Sequence, residues 1–98
     1  MKKKPSDEIK QWFDFADEDL RSAKILLHEK IYNQACFHSQ QCVEKYLKGL
    51  LLLHSDHKPK LHDLKELFDR CIHANILELL PFREKVATLS LYYAPTRY

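Results

Sequence analysis

Ninety-eight residues, a formal charge of +2 and a single glycine set the first limits on this chain. That length forms one domain at most, covering 1–98, and buries proportionately less surface than a larger protein, so help from a partner or a second copy is expected. One Gly and four Pro exclude a turn-rich β-fold, and the small positive balance, much of it in Lys2-Lys3-Lys4, excludes a strongly electrostatic nucleic-acid binder.

The first predicted helix opens at Ser6, whose hydroxyl can cap it, and Asp7 and Glu8 come next, where free backbone amides favour negative charge. Ile9, Trp12, Phe13, Ala16, Leu20, Ala23 and Leu27 recur at three- and four-residue steps as far as His28, giving one apolar stripe. Asp14, Asp17, Glu18 and Asp19 form an acidic patch expected to face solvent while inviting a cationic partner. Tyr32-Asn33 begins a second helix that runs to about His54. Ala35, Cys42, Val43, Tyr46, Leu47 and Leu50 share its broad apolar face, and a second stripe sets Phe37, Gln41, Glu44 and Lys48 side by side. A solvated face rarely needs a Phe, so this helix is expected to be central.

Ser55-Asp56-His57-Lys58-Pro59 breaks the pattern with turn-forming residues. A third helix is predicted from Pro59 or Lys60 to His73, with Leu61, Leu64, Leu67, Phe68, Cys71 and Ile72 inward. Asn75 is expected to cap the next segment, and Ile76 to Leu80 to form a short turn. A fourth helix then starts near Leu79 to Pro81 and ends near Tyr93, because Pro is tolerated only in a first turn. The fold class is therefore all-α, an up-and-down bundle of four helices. The longest apolar run, Leu50 to Leu53, is too short to cross a bilayer. Cys36, Cys42 and Cys71 are odd in number, with no C-x-x-C pair and no secretory leader, which points to a reducing cytoplasm.

Gln41, Glu44, Lys45 and Lys48 support two readings. They can line a nucleotide pocket, with Lys48 on a phosphate and the amide on a base edge, or form a polar seam between helices or subunits, closed by Glu44 and Lys48 at i and i+4. The seam is favoured. His62, at the start of the third helix, can contact a phosphate or bond a neighbouring backbone. His54, His57 and His62 lack the i, i+4 geometry of a helical zinc site, so no metal centre is expected. Cys36, His38 and Cys42 read as packing residues.

The pattern A-x-F-x-x-Q-Q-x-x-E-K-x-L-K, from Ala35 to Lys48, resembles the prokaryotic HEPN family, small helical domains often encoded beside minimal nucleotidyltransferases. Trp12 and Asp19-Leu20 with Ala23, then His62-x-Leu64-x-x-Leu67, then Tyr92-Tyr93-x-x-x-Arg97-Tyr98 occur in family order. Members usually continue with a Pro and a further helix, so the resemblance implies a fifth C-terminal helix that is absent here. It also implies a homodimeric binding and interaction module, pairing with a minimal nucleotidyltransferase in a toxin–antitoxin-like system. A bound nucleotide is the implied ligand, with no other cofactor, and the candidates for holding it or the interface are Gln41, Glu44, Lys45, Lys48, His62, Tyr93 and Arg97. The alternative is a metal-independent endoribonuclease acting on RNA at the dimer interface. Many HEPN ribonucleases use Arg-x(4-6)-His, a guanidinium on phosphate and an imidazole handling the ribose proton. Arg21 and His28 have that spacing but lie in the first helix, and Arg97 has no His after it; its other role is a cation for Glu44. No catalytic residue is assigned.

Overall fold

The computed structural model describes residues 5–55 and 63–91. Four α-helices account for most of them: α1 (Pro5–His28), α2 (Tyr32–Ser55), α3 (Leu64–His73) and α4 (Arg83–Ser90), with a 3-10 helix at Leu77–Phe82 before α4. The chain is an all-α bundle, and no described residue is in a strand. Helix α1 packs along α2, while α3 and α4 pack on one another and on α2. Among the described residues no helix is long and apolar enough to cross a membrane.

The seam between α1 and α2 is built from small residues at heptad spacing. Ala16 and Ala23 on α1, and Ala35, Cys42 and Gly49 on α2, are all buried. Small side chains let two helix backbones approach closely over several turns. Gly49 is the tightest point, since a Cβ added there would stand 2.7 Å from Cε1 of Phe13. The larger apolar side chains gather at the other side of α2, where Leu47 and Leu51 meet Leu64, Leu67, Phe68 and Cys71 of α3, Ile76, and Val86 of α4.

Helix ends differ from the sequence expectation in ways that local chemistry explains. Helix α1 begins at Pro5, one residue before the Ser6 expected to cap it; Pro suits a first helical position because its missing N–H is unneeded there. Helix α3 starts at Leu64 and not near Pro59, because the Asp63 carboxylate accepts hydrogen bonds from the Lys65 and Glu66 amides at 2.9 and 3.3 Å. Asn75 does not cap the next element. It has φ 67° and ends α3, with its own N–H donating to the Ile72 carbonyl and the Ile76 N–H to the Cys71 carbonyl. The fourth helix begins only at Arg83, since the stretch around Pro81 winds as the 3-10 helix.

Helix α1 ends the same way as α3, with the Ile31 N–H reaching the Leu26 carbonyl and Lys30 at φ 62°. Left-handed backbone is costly for a residue with a Cβ, so Lys30→Gly is expected to stabilise the fold by about 0.5–1 kcal/mol in urea denaturation. Gly49→Ala goes the other way. The helix-propensity gain of about 1 kcal/mol is outweighed by the clash with Phe13, giving a net loss of about 1–2 kcal/mol in the same assay.

Candidate functional site

Helix α2 is enclosed on so many sides that several of its polar side chains are turned inward. Gln40, Glu44 and Lys48, spaced four apart on one line of the helix, are 0%, 5% and 4% exposed. Lys48 Nζ donates to Glu44 Oε2 at 3.0 Å and lies 5.5 Å from the centre of the Trp12 ring. Gln40 Nε2 donates to the Leu89 carbonyl at 2.9 Å and so ties α2 to the end of α4. A charge pair in such surroundings holds because each ion neutralises the other, and the indole face adds a further attraction for the ammonium.

A second polar group sits at the α1–α2 seam but reaches the surface. Asp19, 8% exposed, accepts from Lys45 Nζ at 2.5 Å on one oxygen and lies 2.9 Å from His38 Nδ1 on the other. An ionised carboxylate only accepts, so Nδ1 carries a proton and Nε2 of a neutral His38 is left as an acceptor. His38 and Lys45 are partly exposed, and half-buried Gln41 lies between them at the i+3 step on the same stripe. Two aromatic rings flank the group: Phe37 meets the His38 ring edge-on at 5.3 Å, and exposed Phe15 lies under Lys45 Nζ at 5.8 Å. The surface thus offers an ammonium, an imidazole, an amide and a π-face within one patch, a set suited to a phosphate joined to a planar base.

The sequence candidates separate in space. Glu44 and Lys48 belong to the inner line, Gln41 and Lys45 to the outer patch. His62, Tyr93 and Arg97 lie outside the described residues. The acidic patch of α1 is corrected at one position: Asp14, Asp17 and Glu18 are exposed as expected, but Asp19 is buried. Its spacing from Ala16 and Ala23, three and four residues away on the apolar stripe, carries that signal. His38, expected to be a packing residue, instead contacts Asp19, and Gln40 joins the inner line although only its position four residues before Glu44 hints at it in the sequence. Arg21 and His28 lie on α1 without meeting one another; His28 is exposed, and its Nδ1 lies 3.3 Å from Glu29.

The thiols are poor nucleophiles. Burial raises Cys42 to about 11, helped by Asp19 and Asp17, and burial alone raises Cys71 to about 11. The Cys71 thiol also donates to the Leu47 carbonyl at 3.6 Å. The Tyr46 phenol donates to Asp17, which above other causes pushes it up to about 12, so it stays neutral.

A sequence profile of the HEPN domain matches residues 9–98. The chain belongs to the HEPN domain family. A protein of Methanocaldococcus jannaschii bearing the name "Putative toxin MJ1304" is 53% identical to this HEPN chain over 38 residues, 39% of the chain and 25% of that protein. The chain therefore spans about a quarter of that relative's length. No solved structure matches it.

Removing one member of the buried pair in this HEPN domain takes from the other its counter-ion one turn along α2. Lys48→Met is expected to cost about 3–5 kcal/mol in chemical denaturation, whereas Lys10→Met, at the exposed Lys10–Asp14 pair, is expected to be near neutral.

Proposed function

We propose that this HEPN domain is a toxin-type binding module of the cytoplasm: a homodimer that pairs with a minimal nucleotidyltransferase and holds a nucleotide on the patch formed by His38, Gln41 and Lys45. The observation that carries this reading is the Asp19 grip on both His38 and Lys45, which holds one phosphate donor, the Lys45 ammonium, and an imidazole beside it at fixed positions on the surface. Lys45 has three N–H donors and spends one on Asp19, leaving two for a ligand. Exposed Phe15 supplies a face on which a base can stack. The name of the M. jannaschii relative supports the toxin-type assignment over the segment the two share.

The same grip favours one second reading, a metal-independent endoribonuclease. An imidazole oriented through Nδ1 by a carboxylate leaves Nε2 to take a ribose hydroxyl proton, with Lys45 near the phosphate. Calorimetric titration of the whole chain with AMP and ATP separates the readings when run beside incubation with mixed RNA in the absence of metal. The module reading expects nucleotide binding that weakens about tenfold or more in Lys45→Ala and His38→Ala, equivalent to about 1.4 kcal/mol, with RNA left intact. RNA cleavage lost in His38→Ala would establish the enzyme instead, and no binding to either ligand would remove the patch as a site.

A further inference from the structure

The ring of His38 on α2 is held by a carboxylate that reaches it from α1. Asp19 spends one oxygen on Lys45 Nζ and the other on His38 Nδ1, at 2.9 Å. A carboxylate bound to an ammonium only accepts, which puts the proton of a neutral imidazole on Nδ1 and the lone pair on Nε2. The ring is partly exposed, and Nε2 has no partner among the described residues. An acceptor fixed in place beside a surface cation fits a ligand that brings a donor next to its anion. We propose that His38 Nε2 accepts a hydrogen bond from a sugar hydroxyl of the bound nucleotide, which makes His38 the residue that selects a ribonucleotide over one whose sugar lacks hydroxyls. This rests on the nucleotide-binding reading above and names the part of the ligand that the patch distinguishes.

Distance selects the sugar. Nδ1 of His38 and the Lys45 ammonium meet the two oxygens of one carboxylate, so little more than that carboxylate separates the ring from the cation. With the ligand's phosphate on Lys45, the donor for Nε2 has to lie close to the phosphate. The sugar hydroxyls are the nearest donors a nucleotide has there, whereas the amino group of a base lies beyond the sugar. The base keeps its own partners: exposed Phe15, under Lys45 Nζ at 5.8 Å, offers a ring face, and the half-buried Gln41 amide can donate and accept.

Protonation changes what the ring recognises. A charged imidazole donates from both nitrogens, and phosphate, present in every nucleotide, is the strongest acceptor for the new Nε2–H, so the sugar no longer decides. An imidazole ordinarily changes charge between pH 5 and 8. Asp19 is the charged group of α1 in contact with the ring, while Glu18 and Arg21 beside it are exposed and make no ion pair with the ring among the described residues. On α2, Lys45 shares the carboxylate, and the Cys42 thiol one turn along, raised to about 11 by burial above other causes, stays neutral throughout this range. Helices α3 and α4 meet the opposite face of α2, at Gln40, Leu47 and Leu51.

Calorimetric titration of the whole chain with AMP and with 2′,3′-dideoxy-AMP, at about pH 8 and about pH 5, reads the contact as a ratio of Kd values. The phosphate titrates alike in the two ligands, so its own change of charge cancels from the ratio. At the higher pH, AMP is expected to bind about tenfold tighter than the dideoxy form, and at the lower pH the ratio should fall to within about twofold. His38→Ala should bring AMP to the dideoxy level at both pH values, whereas a merely structural His38 would weaken both ligands alike. The 2′-deoxy and 3′-deoxy forms locate the hydroxyl, since the one whose loss reproduces the dideoxy affinity carries the contact. Without any ligand, NMR of the ring nitrogens should show His38 as the Nδ1–H tautomer at the higher pH. The Nε2–H tautomer, equal binding of AMP and dideoxy-AMP at the higher pH, or a preference that survives His38→Ala or protonation would overturn this inference and leave the nucleotide reading standing. No binding of either ligand would overturn both.

Discussion

Helix α2 has neighbours on most of its circumference, and the arrangement of the other helices depends on how its inward polar groups are neutralised. A helix in that position is commonly apolar all round. This one carries Gln40, Glu44 and Lys48 into the interior, where the ammonium sits on the carboxylate and under the Trp12 ring, and the amide nitrogen of Gln40 holds a carbonyl of α4. A buried pair of this kind contributes little net stability against an apolar replacement, but it tolerates few alternative arrangements of the helices around it. The pair therefore constrains where α1 and α4 can lie as much as it holds them.

The α1–α2 seam links that constraint to the surface. Small residues at seven-residue spacing bring the two helices close, and closeness lets the short side chain of Asp19 reach both His38 and Lys45 across the seam. The outer patch is thus rigid for the same reason the seam is tight. On a looser helix pair Lys45 would be a mobile surface cation, and the imidazole of His38 would turn freely.

Periodicity makes the larger architecture legible. The apolar face of α2 and the four inward residues Leu64, Leu67, Phe68 and Cys71 of α3 stand where the three- and four-residue steps put them, because burial of one helix face leaves a signal repeated over several turns; the α1 stripe holds at Ala16 and Ala23 but fails at Leu20 and Leu27, which are exposed. Single-residue events are harder to see. Asp63 and Asn75 are both plausible at either end of a helix, and only the backbone around them shows that one starts α3 and the other stops it. The patch is half legible: Gln41 and Lys45 stand out within the Ala35–Lys48 pattern, but Asp19 comes from another helix, and its acidic neighbours mask the fact that it shares a stripe with Ala16 and Ala23. The heptad of small residues is present in the sequence as well, hidden because Ala and Cys draw less notice than Leu.

The left-handed turn at Lys30 joins two helices whose contacts are mostly with each other and close along the chain. Such a hairpin closes a short loop and so can form early, during synthesis, before the later segments have left the ribosome. At that stage Glu44 and Lys48 already sit one turn apart, still hydrated on the open side of α2. In the folded chain Leu89 of α4 offers its carbonyl to Gln40 on the same line of the helix. An ion pair made at the hairpin stage forms where water keeps its desolvation cost small.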